Sequence, residues 1–336
     1  MRISLILTVM DEADSLPGLL DSISAQTHAP DEIVIVDGGS TDATLDILRA
    51  NARRLPLNII SQPGANISQG RNAAIRASTG DIICSTDAGV RLDASWVEEL
   101  ARPFTDEGRK TRDESDLRSS FVARPSSADV VSGFFVPDPK GVFETALAAT
   151  TLPALADIRP DGFLPSSRSI AFRKAAWEKV SGYPEWLDYC EDLIFDFALR
   201  EAGYRFAFAP RAIVHFRPRP NLCAFFKQYY RYARGDGKAN LWLKRHLLRY
   251  LTYLVALPFV IWLTATAPLL ALAFWLAGAA FMFFTPYRRL APMLRRFSFI
   301  DKFSAVLWVP IIRITGDIAK MVGYPVGVLW RMRRQQ

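Results

Sequence analysis

The first ninety residues alternate between short apolar runs and amphipathic stretches, and this alternation constrains the fold more than any other feature. ISLILTV (3–9), EIVIVD (32–37), LNIIS (57–61) and DIICSTD (81–87) read as β-strands. Helical segments separate them. Asp14 and Ser15 can cap the first, residues 40–42 the second, and NISQGRNAAIRAS (66–78) supplies the third. Strands that are apolar on both faces need cover on both faces, which means an α/β fold with a mostly parallel, Rossmann-like sheet between helices. Ligands of such sheets gather at the carboxyl ends of the strands. Residues 8–12, 37–40 and Asp87 fall at those ends, so three acidic strand termini should share one rim.

The pattern breaks at 105–128, a charged, Ser-rich stretch of mixed sign that reads as a solvated insertion or mobile loop. Structure should resume with a strand at 129–136, a helix near 141–150 and a strand at 168–173. A helix follows the acids of CED (190–192), then strands at 204–209 and 211–216, and Asn221 opens the amphipathic helix NLCAFFKQYYRYAR.

Half of the residues are hydrophobic, and their uneven spread matters more than the total. Two apolar segments, 248–263 and 268–284, flank a TATA link, and each is near the shortest length that crosses a bilayer. Lys244, Arg245 and Arg249 precede the pair; Arg288, Arg289, Arg295 and Arg296 follow it. Both ends therefore belong on a cytoplasmic surface, giving a hairpin that spans the membrane or dips into it. The competing arrangement is a helical pair buried in a soluble core.

Residues 286–336 hold ten Lys/Arg against two Asp, a surplus of eight against +7 for the whole chain. The remainder is close to neutral, so no basic groove for nucleic acid is indicated, and the tail fits anionic membrane lipids instead. Its apolar runs mixed with charges read as interfacial. Cys84, Cys190 and Cys223 are scattered and show neither a disulfide framework nor metal-ligand spacing. Asp11 and Glu12 end the first apolar run too soon for a signal peptide, which places the N-terminal portion in the cytosol.

TVMDEADSL, IVDGGSTDAT, GRNAAIRASTGDIICSTDAG, the CED triplet and HFRPR follow one another in the order found in family 2 glycosyltransferases of the GT-A fold. The chain resembles that family over roughly residues 1–240, as a membrane-associated member of bacterial type. The resemblance implies a GT-A domain at 1–240, a membrane hairpin at 241–286 and a basic interfacial tail at 287–336. It further implies an inverting transfer from a nucleotide-diphosphate sugar to a lipid-linked or cell-envelope glycan acceptor at the cytoplasmic face of the inner membrane.

Site residues are carried over position by position. In the family, residues matching Thr8, Val9, Asp11, Glu12 and Asp37 contact the nucleoside. Asp37 ends a buried strand where a carboxylate can accept hydrogen bonds from base or ribose, and Gly38 and Gly39 allow close backbone approach. Arg71 either faces the nucleotide or pairs with Asp37 or Asp87. Asp87 matches the first acid of the family's DxD, whose usual task is to hold Mg²⁺ or Mn²⁺ on the diphosphate, but Gly89 replaces the second acid. His215, at the end of AIVHF, is a further ligand candidate or a satisfied core histidine.

Asp192 matches the family's general base. Glu191, one position away on a helix, points elsewhere and orients the site or binds acceptor. Arg168 of FLPSSRS lines the acceptor or leaving-group side. Gln228 and Arg231 of QYYRY, which resembles the QxxRW of processive synthases, share a helix face, and Arg234 joins Arg231 as a possible diphosphate partner. Two other readings remain open: a processive polysaccharide synthase, and a non-catalytic nucleotide-binding membrane protein. A nicotinamide oxidoreductase would need a G-x-G-x-x-G after the first strand, which is missing.

Overall fold

A computed structural model of the protein describes residues 1–105 and 128–334; the charged stretch 105–128 thus lies, but for its two end residues, outside the described residues. The chain divides into two compact units, residues 1–136 with 155–216, and residues 137–154 with 217–336.

The first unit is built on an eight-stranded sheet in the order β3-β2-β1-β4-β7-β6-β8-β5. β1 (Ile3–Val9), β2 (Glu32–Asp37), β3 (Leu57–Ser61) and β4 (Ile82–Ser85) are parallel, as the alternation requires. Their side chains divide by parity. Ile3, Leu5, Leu7 and Val9 enter one core with Ile33 and Ile35, whereas Ile6, Val34 and Val36 enter the other. Helices α1 (Leu16–Ser24) and α4 (Trp96–Thr105) close the first core, with Leu19, Trp96 and Leu100 fully buried. Helices α3 (Ile67–Ala77), α6 (Lys174–Lys179) and α7 (Glu191–Glu201) close the second, through Ile75, Trp177 and Phe195. Each such aliphatic or aromatic side chain stabilises the fold by about 1.5–3 kcal/mol, so the double coverage makes the sheet the rigid base of the unit. Helix α2 (Thr44–Asn51) links β2 to β3.

Beyond β4 the sheet becomes mixed. β7 (Ile170–Arg173) runs antiparallel to β4, and β6 (Val130–Pro137) antiparallel to β7. The two strands expected at 204–209 and 211–216 are one continuous strand, β8 (Phe206–Phe216), which carries Pro210 and Arg211 without a break. A proline costs a strand one donor and no more, which is tolerable where that N–H is not needed by a neighbour. A three-residue strand unseen in the sequence, β5 (Val90–Leu92), pairs antiparallel with β8 and sets Arg91 opposite His215.

The second unit is helical. α5 (Val142–Thr151), α8 (Leu222–Lys238) and α12 (Phe299–Arg334) pack around Leu147, Phe225 and Ile312. The α8 and α12 backbones approach closely at glycines. A Cβ on Gly237 would sit 2.8 Å from the Val328 amide nitrogen, and one on Gly327 would sit 2.7 Å from that of Lys238. α9 (Leu243–Leu251), a π-helical turn (Thr252–Ala256) and α10 (Leu257–Thr266) form a rod of 24 residues; α11 (Pro268–Met293) continues a second rod to Arg296, 29 residues in all. Both are long and apolar enough to cross a membrane, and only 6% of each apolar window is buried within the protein. α12 exposes Ile300, Phe303, Leu307, Ile311, Ile314 and Ile318 at intervals of three or four residues, an apolar stripe along one helix face.

Candidate active site

The loops after β1 and β2 are laced into one rim. Asp11 donates its amide to the Ser40 hydroxyl at 2.9 Å and accepts the Thr41 amide at 2.7 Å; the Glu12 amide reaches Thr44 Oγ1 at 2.8 Å. Asp37 is fully buried, and its carboxylate accepts the Gly39 amide at 3.1 Å and the Ser40 amide at 3.2 Å. Its charge is thereby spent on holding the turn that follows it. Gly39 has φ +104°, a region that penalises any Cβ, and its backbone packs on Pro63. Asp42 accepts the Thr44 amide at 2.9 Å, a turn bond made one position ahead of the N-cap of α2, which is Ala43. Neither Ala43 nor Ser15 at the start of α1 makes a side-chain cap bond, contrary to the caps expected at 14–15 and 40–42. Thr8 sits half-buried under Gly70 of α3, where a Cβ would come within 2.7 Å of its methyl. The Val9 side chain lies in the core and its carbonyl is taken by the Gly38 amide at 2.9 Å, so this residue shapes the rim without offering a side chain to a ligand.

Arg71 is the hub. It is 2% exposed, and its guanidinium donates to Glu191 Oε1 at 2.6 Å and to Asp87 Oδ1 at 2.8 Å. Of the two partners left open by the sequence, Asp87 holds it and Asp37 is engaged with its own turn. The guanidinium also lies 5.4 Å from the centroid of the Tyr183 ring. Its Nε finds no hydrogen-bond partner among the described residues.

Asp87 has a second arginine. Arg168 Nε lies 3.2 Å from Asp87 Oδ2. The register explains the meeting: β4 and β7 pair Ser85 with Ile170, and two further antiparallel steps set position 87 opposite position 168. Thr86 Oγ1 donates to the Arg168 carbonyl at 2.9 Å and fastens this extension. The Arg168 guanidinium rests over Phe216 at 4.8 Å and Phe135 at 5.9 Å, so its plane is held by aromatic faces.

Glu191 and Asp192 start α7, after Cys190 in the left-handed region at φ +66°. Helix N-termini favour anions, so two acids here are compatible with the local field. Glu191 faces Arg71, whereas Asp192 is half-buried and accepts the amide of Leu193 at 2.9 Å. Burial and then the charge of Asp192 push the Glu191 carboxyl up to about 7, against the pull of Arg71. Burial likewise raises Asp192, opposed by Arg71 and Arg168. Both carboxyls are thus held above the ordinary carboxylate range, and Glu191 is the one poised to gain or lose a proton near neutrality.

The segment leading to α7 is fastened by α3, an arrangement that the sequence signals only through its NISQGRN run. Asn72 donates to the Tyr183 carbonyl at 2.8 Å and to Glu185 at 2.9 Å, and accepts the Tyr183 amide at 2.9 Å and the Trp177 indole at 3.1 Å. Ser68 donates to the Leu187 carbonyl at 3.0 Å. One helix therefore positions both Arg71 and the loop that delivers Asp192.

The donor set fits a divalent cation poorly. Both Asp87 oxygens already face guanidinium groups, and the position of a second acid is Gly89. His215 does not complete a set with Asp87: its Nε2 bonds Asp93 at 2.7 Å, because β5 brings the Asp93 segment alongside β8. No cluster of three acid, histidine or cysteine side chains suited to a metal occurs among the described residues. Gln228, Arg231 and Arg234 belong to α8 in the second unit, where Gln228 donates to the Tyr232 hydroxyl at 2.8 Å.

Comparison with known proteins bears on the family and the fold. A model of "Glycosyl transferase family 2" matches residues 4–111, and one of "Glycosyl transferase family group 2" matches residues 160–287. The O-antigen chain rhamnosyltransferase RfbN of Salmonella typhimurium is 26% identical over 67% of this chain and 71% of its own length. The succinoglycan biosynthesis protein ExoA of Rhizobium meliloti is 24% identical over 81% of this chain and 79% of its own. Among solved structures, the mannosyltransferase PcManGT of Pyrobaculum calidifontis, in complex with GDP-Man and Mn²⁺, aligns over 100% of this chain and 88% of its own. Its TM-score is 0.53 at 18% identity, a likeness of fold.

Proposed function

We propose a reaction from one premise: the chain belongs to the family 2 glycosyltransferases, enzymes built on the GT-A fold. The donor is a nucleotide-diphosphate sugar, the acceptor is a lipid-linked or cell-envelope glycan, and the sugar is moved with inversion at its anomeric carbon. One observation carries the reading. Arg71 ties the strand-end acid Asp87 to Glu191 at the start of α7, so the strand ends that would receive a nucleotide and the acidic helix that would act on an acceptor share one hub.

In this mechanism Asp192 is the general base. It takes the proton of the acceptor hydroxyl as that oxygen attacks the anomeric carbon, while the bond from that carbon to the diphosphate oxygen breaks and the nucleoside diphosphate leaves. Glu191 neutralises and orients Arg71. The rim formed by Thr8, Asp11, Glu12 and the Asp37 turn receives the nucleoside, largely through backbone groups whose geometry the buried Asp37 holds.

The exposed hairpin anchors the enzyme in the membrane, with the basic residues that flank it at both ends on the cytoplasmic side of the inner membrane. The apolar stripe of α12 and the basic C-terminus lie against anionic lipid headgroups. Membrane attachment suits an acceptor that is itself held in the envelope, and RfbN and ExoA, which bear polysaccharide names, lend support.

The test is transfer in detergent or liposomes from a panel of UDP-, GDP- and dTDP-sugars, with Asp192→Asn as control. Turnover abolished in the variant, with nucleotide binding kept, supports the reading. Binding without turnover in the wild type sinks it in favour of a non-catalytic nucleotide-binding protein.

A further inference from the structure

Asp87 occupies the place of a metal-binding acid, yet its surroundings are those of an anion that holds cations already present. Arg71 takes Oδ1 at 2.8 Å and Arg168 takes Oδ2 at 3.2 Å. A divalent cation would have to displace a guanidinium to reach the Asp87 carboxylate, and it would then lie beside two fixed positive charges. Gly89 supplies no second carboxylate. A Cβ there would meet nothing within 4 Å except Glu12 Oε2 at 3.9 Å, so steric need does not explain the glycine.

The two arginines differ in exposure. The Arg71 side chain is 3% exposed and bound to two acids, whereas that of Arg168 is 23% exposed and supported by the rings of Phe216 and Phe135. Aromatic faces fix the guanidinium plane and leave its in-plane N–H edge as the recognition surface, the geometry that suits a bidentate phosphate contact.

The geometry points to a metal-independent leaving-group site. Arg168, backed by Arg71, stabilises the donor diphosphate in place of a divalent cation, and Asp87 is the counter-anion that holds Arg168 ready. On donor binding, Arg168 exchanges the Asp87 carboxylate for diphosphate oxygens. Asp87 remains paired with the buried Arg71. As the glycosidic bond breaks, the charge gathering on the departing phosphate meets a guanidinium that was oriented beforehand. This inference rests on the nucleotide-sugar reading above and deepens it.

The experiment uses the full chain in detergent after EDTA treatment. UDP, GDP, CDP and dTDP are titrated calorimetrically in EDTA and again with Mn²⁺, and Mn²⁺ alone is followed by electron paramagnetic resonance. One nucleotide should bind with an affinity that changes by less than about threefold on adding Mn²⁺, while Arg168→Ala weakens it by about tenfold or more. Arg168→Lys keeps the charge and loses the fork, so it should fall between the two and serves if the alanine variant misfolds. Gly89→Asp, for which there is space, should gain a slow-exchanging Mn²⁺ signal that the wild type lacks. Nucleotide binding that vanishes in EDTA and returns with Mn²⁺ overturns the inference and leaves the donor reading standing. No nucleotide binding under either condition overturns both.

Discussion

Arg71 and Glu191, 120 residues apart in the chain, meet at 2.6 Å with both side chains buried. A buried carboxylate that loses such a partner keeps the full cost of its desolvation. Arg71→Ala should therefore destabilise the first unit by about 3–5 kcal/mol, more than a surface ion pair could explain. Chemical denaturation of Arg71→Ala, Glu191→Ala and the double variant closes the cycle; additive effects would mean that the pair is not coupled.

Asp192 has no such structural debt, since it is half-buried and bonds its own helix start. Asp192→Asn should lower the transfer rate by about 10²- to 10⁴-fold with little change in the melting temperature. A comparable loss in nucleotide affinity would move Asp192 out of the base role and into donor binding.

The pH dependence follows from the acids of α7. A base must be ionised, and burial raises Asp192 while Glu191 beside it is pushed up to about 7. The kcat/KM profile should rise with pH along a limb displaced above the ordinary carboxylate range and then level. Glu191→Gln removes the neighbouring negative charge, lowers the Asp192 value and should move the rising limb to lower pH. A limb that does not move would show that the two acids do not share a titration.

Asp196, one turn beyond Asp192, is 1% exposed, and its Oδ2 finds no hydrogen-bond partner among the described residues. Burial raises its carboxyl well above the ordinary 3.8, with Asp192 adding to the effect. The folded state then holds this proton to higher pH than the unfolded state. Its contribution to stability is complete below the unfolded value and is lost as pH rises through the folded one. Asp196→Asn should flatten that decline and leave the protein at least as stable at neutral pH, as melting curves from pH 4 to 8 would report.

Asn72 holds the approach to α7 by four hydrogen bonds. Asn72→Ala strands the buried Tyr183 amide and carbonyl, and should cost about 2–3 kcal/mol. It should also lower kcat more than it raises the donor KM, because the loop that it frees carries the base and not the nucleotide rim. A pure KM effect would argue against this positioning role.

Much of the first unit was legible in the sequence, because a strand covered on both faces must be apolar at every position and a helix between such strands must turn an apolar face to the sheet. Those requirements are local. They located β1 to β4, the acids at their ends and the CED helix start without any long-range information. What they could not supply is partner choice. Arg71 could have paired with Asp37 or Asp87, and only the folded turn that consumes Asp37 decides between them. Arg168 meets Asp87 because a later antiparallel strand returns alongside β4 in one register, with Thr86 bonded to the Arg168 carbonyl 82 residues downstream. His215 is drawn to Asp93 by a three-residue strand too short to leave a periodicity. The sequence by itself determined which residues stand at the rim. The tertiary structure decided which charges neutralise one another there, because ion pairing depends on distances of a few ångströms between segments a hundred residues apart, and no local pattern encodes those distances.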